Sequence, residues 1–464
     1  MRSDELAYLG LTAAVQAIAS GELCPLEYAD ALLSRIDALD GRVHAFTQVD
    51  GNRARDRARQ LRDSRPRTAP TNSLPSLFGV PYAVKDIIDV AGLPTTAQSR
   101  LMPPEPKRRS AAVVEALDAA GGVLLGKLSL YEFAIGGPTF DLPWPPARNP
   151  WNLDYMAGSS SSGSGAALAA GFVPLSIGTD TGGSIRSPAV MNGVVGLKPT
   201  HGVVSTQGVF PLAPSLDTVG PLARSVEDVA FAFALMQGKR LNDLGGEKSL
   251  AGTRIGIVRH FHEEDLAASK DVLDVISTSM DEARRQGASL LDVRLSPLAR
   301  FNAAGWVTLL AESYDVHRPW LKAQVELYGA HAREILLSGA FITAAQYDQA
   351  QRMRSSLASE VDHALSSCDA LLTAVSALPP CRIDDDQALA RLASASIRVP
   401  FNATGHPALA IPVGLSDEGL PIGIQLVGVK GGEWRLLALG ERLARALGPR
   451  MVFDARAHPT GGGF

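Results

Sequence analysis

Two clusters of serine and glycine, joined by an alanine-rich segment, constrain the fold of this chain more than any other feature. They lie in AGSSSSGSGAALAAGFVPLSIGTDTGGSIRSPA, residues 157–189, which carries no charge from Ala157 to Thr179. Glycine and small serine residues let a backbone turn tightly and present its N–H groups to a bound atom. Because a flexible linker would not need a helix between the clusters, the pattern favours two structured turns over a connector.

The second cluster, Thr181-Gly182-Gly183-Ser184, follows a predicted strand. It would place consecutive backbone amides beside one hydroxyl, which is the arrangement that an oxyanion hole for acyl transfer requires. The alternative, a flexible turn rich in serine and glycine, is the more frequent outcome for a single cluster of this kind. The pairing of two clusters favours a site of serine chemistry.

A serine nucleophile needs a base, and the G-x-S-x-G elbow of the α/β-hydrolases does not occur in this chain. Lys85 ends the apolar run GVPYAVK and is a candidate base, although a lysine at a strand end is more often a surface residue. A neutral amine at pH 7 costs roughly 4–5 kcal/mol against a reference pKa of about 10.4, which burial can supply. Asp86 should point to the opposite strand face, so it need not hold a charge on Lys85.

Short apolar runs bounded by glycine or proline alternate with helical patterns, which predicts an α/β fold with a largely buried sheet. Residues 1–62 are a predicted N-terminal helical segment, and further helices are expected over 110–121 and 225–238. A generic domain length of about 150 residues would give three domains. No linker or repeat marks a boundary, so we expect one domain over residues 1–464. The predicted strands lie in GVPYAVKDIID, GGVLLGK, GFVPLSIGTD, TRIGIVRHF, DALLTAVSA and HPALAIPVG.

Composition argues against several classes of protein. The chain has 44 basic and 48 acidic residues and a net charge of −4, which gives no electrostatic footprint for nucleic acid. The uncharged window 156–179 is long enough to cross a membrane, but its serine- and glycine-rich half would leave polar groups unsatisfied in lipid. The three scattered cysteines, Cys24, Cys368 and Cys381, indicate a reducing cytosol rather than a disulfide framework.

Three further motifs are interpreted as structural. GGVLLGKL (121–128) nearly matches a phosphate-binding loop, but Leu128 stands where serine or threonine is required. The H-x-H start of RHFHEED (259–265) could supply part of a metal shell, yet no second ligand cluster accompanies it, and we expect a solvated loop. Glu312 and His317 lie five residues apart on a predicted helix, a poor spacing for a shared face, so each is expected to be structural or to line a cleft.

From Gly79 to Asp228 the chain resembles the amidase signature family, in which a Ser–cis-Ser–Lys triad carries catalysis. GVPYAVKDIIDVAGLPTTAQS is similar to the lysine segment of that family, AGSSSSGSGAALAAG to its first serine motif, and GTDTGGSIRSPA to its nucleophile motif. GVVGLKPTHGVVS, SLDTVGPLARSVEDVA and residues 405–428 continue the likeness. The resemblance implies the amidase signature fold, a central mixed β-sheet covered by helices on both faces, with a signature core over 79–228.

The resemblance also implies roles for individual residues. Ser184 would be the nucleophile, Ser160 the bridging serine on a cis peptide bond, and Lys85 the general base that acts through Ser160. An acyl-enzyme would form with release of an amine or ammonia, and water would then clear it, without a metal or cofactor. The oxyanion hole would consist of the amides of Thr181, Gly182, Gly183 and Ser184.

The chain departs from the family pattern at a few positions. Ser159 and Ser162 stand where glycine is usual, and the four adjacent serines leave Ser161 as a second candidate for the bridging role. His201 replaces a frequent tyrosine and Val203 a frequent arginine, which we expect to affect a neighbouring turn more than the triad.

Region 300–397 is the least similar to the family and is predicted to be the variable region that shapes the substrate pocket. Tyr131, Gly136 and Gly137 are further candidates for substrate binding. We expect a small apolar or aryl amide as the substrate, with ester cleavage as a possible side reaction. Aromatic residues belong to the core more often than to a pocket, but the candidates for aromatic walls are Tyr131, Phe133, Phe301, Trp306, Tyr314, Trp320 and Phe341.

Two other functions stay open. The glutaminase subunit of a tRNA-dependent amidotransferase has similar motifs but typically carries an acidic residue that aligns near Ala395, where LASASIR has none. Without that carboxylate the α-ammonium of glutamine would be unpaired. A non-catalytic binding scaffold is the alternative from another class, and the complete set of Lys85, Ser160 and Ser184 argues against it. Besides the amide substrate we expect no nucleic-acid or membrane partner, a monomer or homodimer, and a cytoplasmic location.

Overall fold

A mixed β-sheet forms the centre of the molecule. The structure, a computed structural model, describes residues 3–65, 74–239, 244, 249–394 and 396–448, and within these residues the sheet has 11 strands. Two further short strands, Arg148–Asn149 and Asn152–Met156, form a separate pair. In chain order the strands are β1 (Phe46–Val49), β2 (Pro81–Lys85), β3 (Val123–Leu128), β4 (Arg148–Asn149), β5 (Asn152–Met156), β6 (Leu175–Asp180), β7 (Val195–Lys198), β8 (Thr218–Ala223), β9 (Arg254–Ile257), β10 (Ser289–Asp292), β11 (Ala370–Ala374), β12 (Ala408–Leu415) and β13 (Pro421–Val427).

The strands of the large sheet run in the order β1-β3-β2-β6-β8-β7-β12-β13-β11-β9-β10. Two parallel regions, β3-β2-β6 and β11-β9-β10, flank an antiparallel centre. All six runs that the sequence predicts as strands contain one. The predicted α/β class with a central mixed sheet is therefore confirmed.

Helices flank the sheet, and the two predicted over 110–121 and 225–238 are α5 (Ala112–Ala119) and α8 (Val226–Met236). Long loops and three short 3₁₀ turns complete the described part of the chain. The helices are α1 (Ser3–Ala7), α2 (Leu11–Ser20), α3 (Pro25–Val43), α4 (Gly51–Ser64), α5 (Ala112–Ala119), α6 (Ser162–Ala169), α7 (Arg186–Met191), α8 (Val226–Met236), α9 (His260–Glu263), α10 (Lys270–Arg285), α11 (Leu298–Ala323), α12 (Ala330–Ser338), α13 (Ala344–Leu365), α14 (Asp386–Ser394), α15 (Val399–Ala403) and α16 (Glu433–Leu447).

The hydrophobic core lies on both faces of the sheet. Every residue of β2, β3, β6, β8, β11 and β13 is buried, which explains why these strands are continuous apolar runs rather than alternating patterns. One contiguous cluster of buried apolar side chains extends from Leu6 to Leu443. This continuity favours the single domain over 1–464, which stays a prediction.

Two local expectations are wrong. The N-terminal segment 1–62 is not helical throughout, because Phe46–Val49 forms β1 and pairs with β3 at the edge of the sheet. The segment 259–265 is not a solvated loop: His260 and His262 lie buried in the short helix α9, with Phe261 packed on Phe301. The strand β1 and the helix α9 have four residues each, which is too short for sequence periodicity to identify them. Burial against neighbouring elements decides their conformation.

The segment that resembles a phosphate-binding loop is strand β3. Its lysine, Lys127, is buried and contacts Asp86 at 2.7 Å between Nζ and Oδ1, with Thr95 Oγ1 at 3.2 Å. Asp86 also accepts hydrogen bonds from the hydroxyls of Thr47 (2.9 Å) and Thr96 (2.5 Å). The carboxylate of Asp86 is therefore directed to Lys127 rather than to Lys85.

In the described ranges, no helix is long and apolar enough to cross a membrane.

Removing the Lys127 charge should destabilise the fold. Lys127→Met would leave the Asp86 carboxylate buried without its cation, and losing one partner of a buried pair costs about 3–5 kcal/mol. Urea denaturation followed by circular dichroism should show a clearly lower midpoint. Lys270→Met is the matched control, since Lys270 pairs with Asp274 at the exposed surface, and it should cost about 1 kcal/mol or less. Equal midpoints for the two variants would contradict this expectation.

Candidate active site

The catalytic candidates meet at one edge of the sheet. Lys85 is the last residue of β2, and Thr179 and Asp180 end β6, its parallel neighbour. The carboxyl ends of parallel strands lie at the same sheet edge, which is where α/β proteins commonly bind ligands. The two serine-bearing turns immediately precede α6 and α7 at this edge.

Lys85 is fully buried and makes two short hydrogen bonds. Its Nζ lies 2.8 Å from Ser160 Oγ and 2.8 Å from Thr179 Oγ1. Burial lowers the pKa of Lys85 from 10.5 to about 7, although the negative charges of Asp180 and Asp217 act in the opposite direction. At neutral pH a large fraction of the amine is therefore neutral and can accept a proton, as general-base chemistry requires.

The geometry distinguishes between the two candidates for the bridging serine. The Ser159–Ser160 peptide bond is cis, and Ser160 presents its hydroxyl to Lys85. Ser161 turns away, since its Oγ donates to the carbonyl of Thr179 at 3.1 Å and accepts from the Thr179 amide at 3.3 Å. The hydroxyl of Ser161 is thus used to fix its turn to β6. Ser160 is the serine that the structure places beside the lysine.

Ser184 lies on the second turn and is partly exposed. The amide of Ser161 donates to the carbonyl of Ser184 at 3.2 Å, which holds the two serine-bearing turns side by side. Ser184 and Ser160 both line one cavity. The hydroxyl of Ser184 makes no hydrogen bond within the described part of the chain and is available to a substrate.

A buried ion pair fixes the turn that carries Ser184. The Asp180 carboxylate receives two hydrogen bonds from the Arg186 side chain, both 3.0 Å, and one from the amide of Ile185 at 3.1 Å. Arg186 also donates to Gln425 on β13 at 2.8 Å and to Asn402 on α15 at 2.6 Å. Burial acts to raise the pKa of Asp180, but the Arg186 guanidinium holds that pKa well below its usual range.

The same carboxylate changes the predicted oxyanion hole. The amide of Gly183 donates to Asp180 Oδ1 at 2.7 Å, so its N–H is already used within the turn. The expectation that Gly183 donates to a substrate oxygen is therefore not met. Among the described residues, the amides of Thr181, Gly182 and Ser184 have no acceptor, and these three stay candidates for the oxyanion hole.

A cavity of about 340 Å³ opens above the serines. Tyr131, Gly136 and Gly137, which the sequence singles out for substrate binding, line it. Its other walls come from the strand end and turn near Met156, from α11 and α12, and from α14. The apolar side chains that line the cavity include Ile135, Met156, Met191, Leu212, Trp306, Leu309, Ile335, Leu389 and Leu392.

The predicted aromatic walls are mostly wrong. Of the residues proposed for them, only Tyr131 and Trp306 line this cavity in the described part of the chain. Phe301 is fully buried in the core and Phe341 is 82% exposed. The rings of Phe133, Tyr314 and Trp320 pack against the core instead. This outcome follows the general tendency of aromatic side chains to belong to a core rather than to a pocket.

Glu312 and His317 have structural contacts. Glu312 accepts hydrogen bonds from the Ser215 amide at 2.9 Å and from the Tyr347 hydroxyl at 2.8 Å. His317 is buried, and its Nδ1 lies 2.9 Å from the Tyr328 hydroxyl.

Over the described ranges, no group of three or more His, Cys, Asp or Glu side chains could hold a metal ion.

Sequence reasoning missed four residues of the site: Thr179, Asp180, Arg186 and Arg398. The first three lie within the quoted nucleophile motif, where a charged pair six residues apart inside an otherwise uncharged segment was a readable signal. Arg398 carries no such signal. It lies far along the chain and reaches the cavity only through the tertiary fold.

Comparisons with known proteins identify the family. The Amidase family model matches residues 27–437. The glutamyl-tRNA(Gln) amidotransferase A subunit of Symbiobacterium thermophilum is 35% identical over 446 residues, covering 88% of this chain and 91% of the relative. A crystal structure of an amidase has a TM-score of 0.85 and 32% identity, covering 95% of this chain and 100% of that chain.

A second structural neighbour comes from a study of a vestigial protein complex and the origins of an s-triazine catabolic enzyme. It has a TM-score of 0.88 and 31% identity and covers 96% of this chain and 100% of its own. The chain belongs to the amidase family, and the resemblance to amidase signature proteins is confirmed. The fold and the family together define an enzyme class that acts on carbon–nitrogen bonds.

The lowered pKa of Lys85 predicts how the reactivity of Ser184 depends on pH. Labelling of Ser184 by a fluorophosphonate should speed up as pH rises through about 7, because only the neutral amine accepts a proton. One pH unit below that midpoint, the labelling rate should be about a tenth of its value at high pH. Lys85→Met should lower the labelling rate by a factor of roughly 10²–10⁴. Mass spectrometry of the labelled peptide measures both effects. Lys270→Met, at the exposed surface, should label like the parent. A rate independent of pH between 5.5 and 8.5 would contradict the role of Lys85.

Proposed function

We propose that the protein is a serine amidohydrolase that cleaves a carboxylic amide through an acyl-enzyme. Ser184 Oγ attacks the amide carbon while its proton passes to Ser160, whose own proton passes to Lys85. The tetrahedral oxyanion accepts hydrogen bonds from the free amides of Thr181, Gly182 and Ser184. The C–N bond breaks as the relay returns the proton to the leaving nitrogen. Water then adds by the same relay, and the acid is released.

One observation carries this proposal. Lys85 Nζ lies 2.8 Å from Ser160 Oγ in a fully buried setting, and burial brings the pKa of Lys85 to about 7. Two other buried lysines of the sheet have structural partners: Lys127 pairs with the Asp86 carboxylate, and Lys198 donates to the carbonyl of Pro199 at 2.8 Å. Lys85 contacts two hydroxyls instead, an arrangement that suits proton transfer. A non-catalytic scaffold would have no use for it.

The cavity supports a small substrate with an apolar part. A volume of about 340 Å³ lies at the lower end of the range for small-molecule sites, roughly 300–1,000 Å³. The side chains of Trp306, Leu309 and Ile335 contribute an apolar wall of the cavity. An aryl or branched aliphatic acyl group would bury its surface there. We therefore keep small apolar or aryl amides as the first candidate substrates.

The curated relatives favour a second candidate, the glutaminase subunit of a tRNA-dependent amidotransferase. Relatives with the amidotransferase name are 35–36% identical and cover up to 96% of this chain. The position at which an acid is expected, Ala395, lies outside the described residues. Two other carboxylates, Glu334 and Asp386, line the cavity and would be available to the α-ammonium of glutamine. Under this candidate the protein would act within a complex, and partners beyond the amide substrate would be required.

The remaining predictions from sequence belong to this proposal. We propose one domain over residues 1–464, a cytoplasmic location, and a monomer or homodimer when the protein acts alone. The variable pocket region 300–397 supplies Trp306, Leu309, Ile335 and α14 to the cavity, which supports its role in substrate choice. The location and the oligomeric state are testable by fractionation and by light scattering on the purified protein.

An amide panel tests the catalytic proposal. The purified chain should release ammonia or aniline from benzamide, anilides or branched aliphatic amides. Ser184→Ala should reduce that rate by at least a thousandfold, because the acyl-enzyme cannot form. The control Ser205→Ala removes an exposed hydroxyl in a turn and should leave turnover unchanged. No turnover of any amide, together with no fluorophosphonate labelling of Ser184, would reject an amidohydrolase.

L-Glutamine and glutaramate together test the second candidate, since the two differ only in the α-ammonium group. A glutaminase that uses Glu334 or Asp386 should hydrolyse glutamine at least tenfold more efficiently than glutaramate. Glu334→Gln and Asp386→Asn should reduce this ratio. The measurements are ammonia release and co-purification with a second, RNA-binding protein. Equal rates for the two amides, with no such partner, would favour the free amidase.

A further inference from the structure

Arg398 is a buried cation in the wall of the substrate cavity. It precedes α15, is 7% exposed and lines the cavity together with Ser184 and Gly182. Its side chain lies directly against Gly183: a Cβ added at that glycine would come within 2.4 Å of Arg398 Cδ and Nε. Gly183 has a φ of +118°, so both its conformation and this contact require glycine. Arg398 is therefore packed on the turn that carries the candidate nucleophile.

The guanidinium of Arg398 is largely unpartnered. Nη1 donates to the carbonyl of Val375 at 2.8 Å, whereas Nε is buried and has no acceptor. Of five N–H donors, one has an acceptor within the described part of the chain, and no carboxylate there forms an ion pair with Arg398. Burial, together with the charge of Arg186, lowers the pKa of Arg398 to about 10, so the group stays charged at neutral pH.

Asp180 attracts the Arg398 charge but forms no ion pair with it. Asp180 is bound by Arg186, Asn402 and the turn amides, which use its oxygens fully. The backbone carbonyl of Arg398 also accepts from Arg186 at 3.0 Å, and Arg186 in turn is paired with Asp180. Buried charges in proteins are normally paired and hydrogen-bonded, because leaving them without a partner is energetically costly. A cation left unpaired in a substrate cavity points to an anion that arrives with the substrate.

We propose that Arg398 binds a carboxylate of the substrate, so that the preferred amide carries an anionic group near the scissile bond. The planar guanidinium presents parallel N–H donors that match the two oxygens of a carboxylate. The apolar wall would then hold the methylenes or ring between the carboxylate and the amide. The inference rests on the proposed amidohydrolase function and changes its first candidate substrates from neutral apolar amides to monoamides of dicarboxylic acids or related carboxylated amides.

Matched substrates test this inference. Succinamate and glutaramate are compared with 4-methylpentanamide and 5-methylhexanamide, in which an isopropyl group replaces the carboxylate. The parent protein should prefer the carboxylated amides by at least tenfold in kcat/KM. Arg398→Met should lose about 10- to 100-fold on the carboxylated amides, as expected for charged hydrogen bonds, and less than threefold on the neutral pair. Arg398→Lys should recover part of the loss, since it restores charge without the paired donors.

Controls separate binding from folding and from the proposed catalysis. Arg53→Met removes a partly buried arginine outside the cavity, whose Nη1 donates to the Ala91 carbonyl, and should leave the preference intact. Fluorophosphonate labelling of Ser184 should persist in Arg398→Met if the turn is intact. Succinate or glutarate should slow labelling of the parent protein but not of Arg398→Met.

Equal losses on carboxylated and neutral amides would overturn the inference and assign Arg398 to the turn or the oxyanion instead. A parent protein with no carboxylate preference and no protection by dicarboxylates would also overturn it, while leaving the amidohydrolase proposal standing. Absence of all turnover and labelling would reject the amidohydrolase proposal itself.

Discussion

The buried pair of Asp180 and Arg186 is the interaction on which the site depends. Asp180 ends a central strand and Arg186 begins the helix after the nucleophile turn, so the pair closes that turn into a fixed shape. Through Asn402 and Gln425 the same guanidinium ties the turn to α15 and β13, far along the chain. A buried ion pair is often a weak source of stability, but here every oxygen and most donors are satisfied. The pair therefore gives the turn a defined geometry.

This geometry separates the polar groups of the site into two sets. One set is internally satisfied: the Gly183 amide with Asp180, and the Ser161 hydroxyl with Thr179. The other set is left open to the cavity and includes the Ser184 hydroxyl and the amides of Thr181, Gly182 and Ser184. Because unmade buried hydrogen bonds are costly, groups left open beside a cavity indicate where a ligand completes them. The same reasoning extends from the serine turns to Arg398.

Much of the fold and the centre of the site were predictable from sequence. Continuous apolar runs predict buried strands, and the two serine–glycine clusters predict turns, because backbone geometry and side-chain size act locally. Lys85 ends such a run, but that position alone favours a surface lysine, and its role as a base is implied by the family resemblance. The strand β1 and the short helix α9 were not predictable, because segments of four residues carry too little periodicity to outweigh their packing. The prediction of aromatic cavity walls was mostly wrong for a related reason. Aromatic residues are found both in cores and in pockets, so residue type alone does not distinguish the two.

The sequence by itself determined which groups are candidates for the chemistry: two serines, a lysine in an apolar strand, and small residues where backbone amides can be exposed. Only the tertiary structure decided which serine contacts Lys85, which amides stay free, and that Arg398 lies against Gly183. These outcomes depend on distances between residues that are far apart along the chain. A local pattern fixes which conformations a segment can adopt, whereas hydrogen-bond satisfaction and charge pairing are settled only when distant segments are packed together.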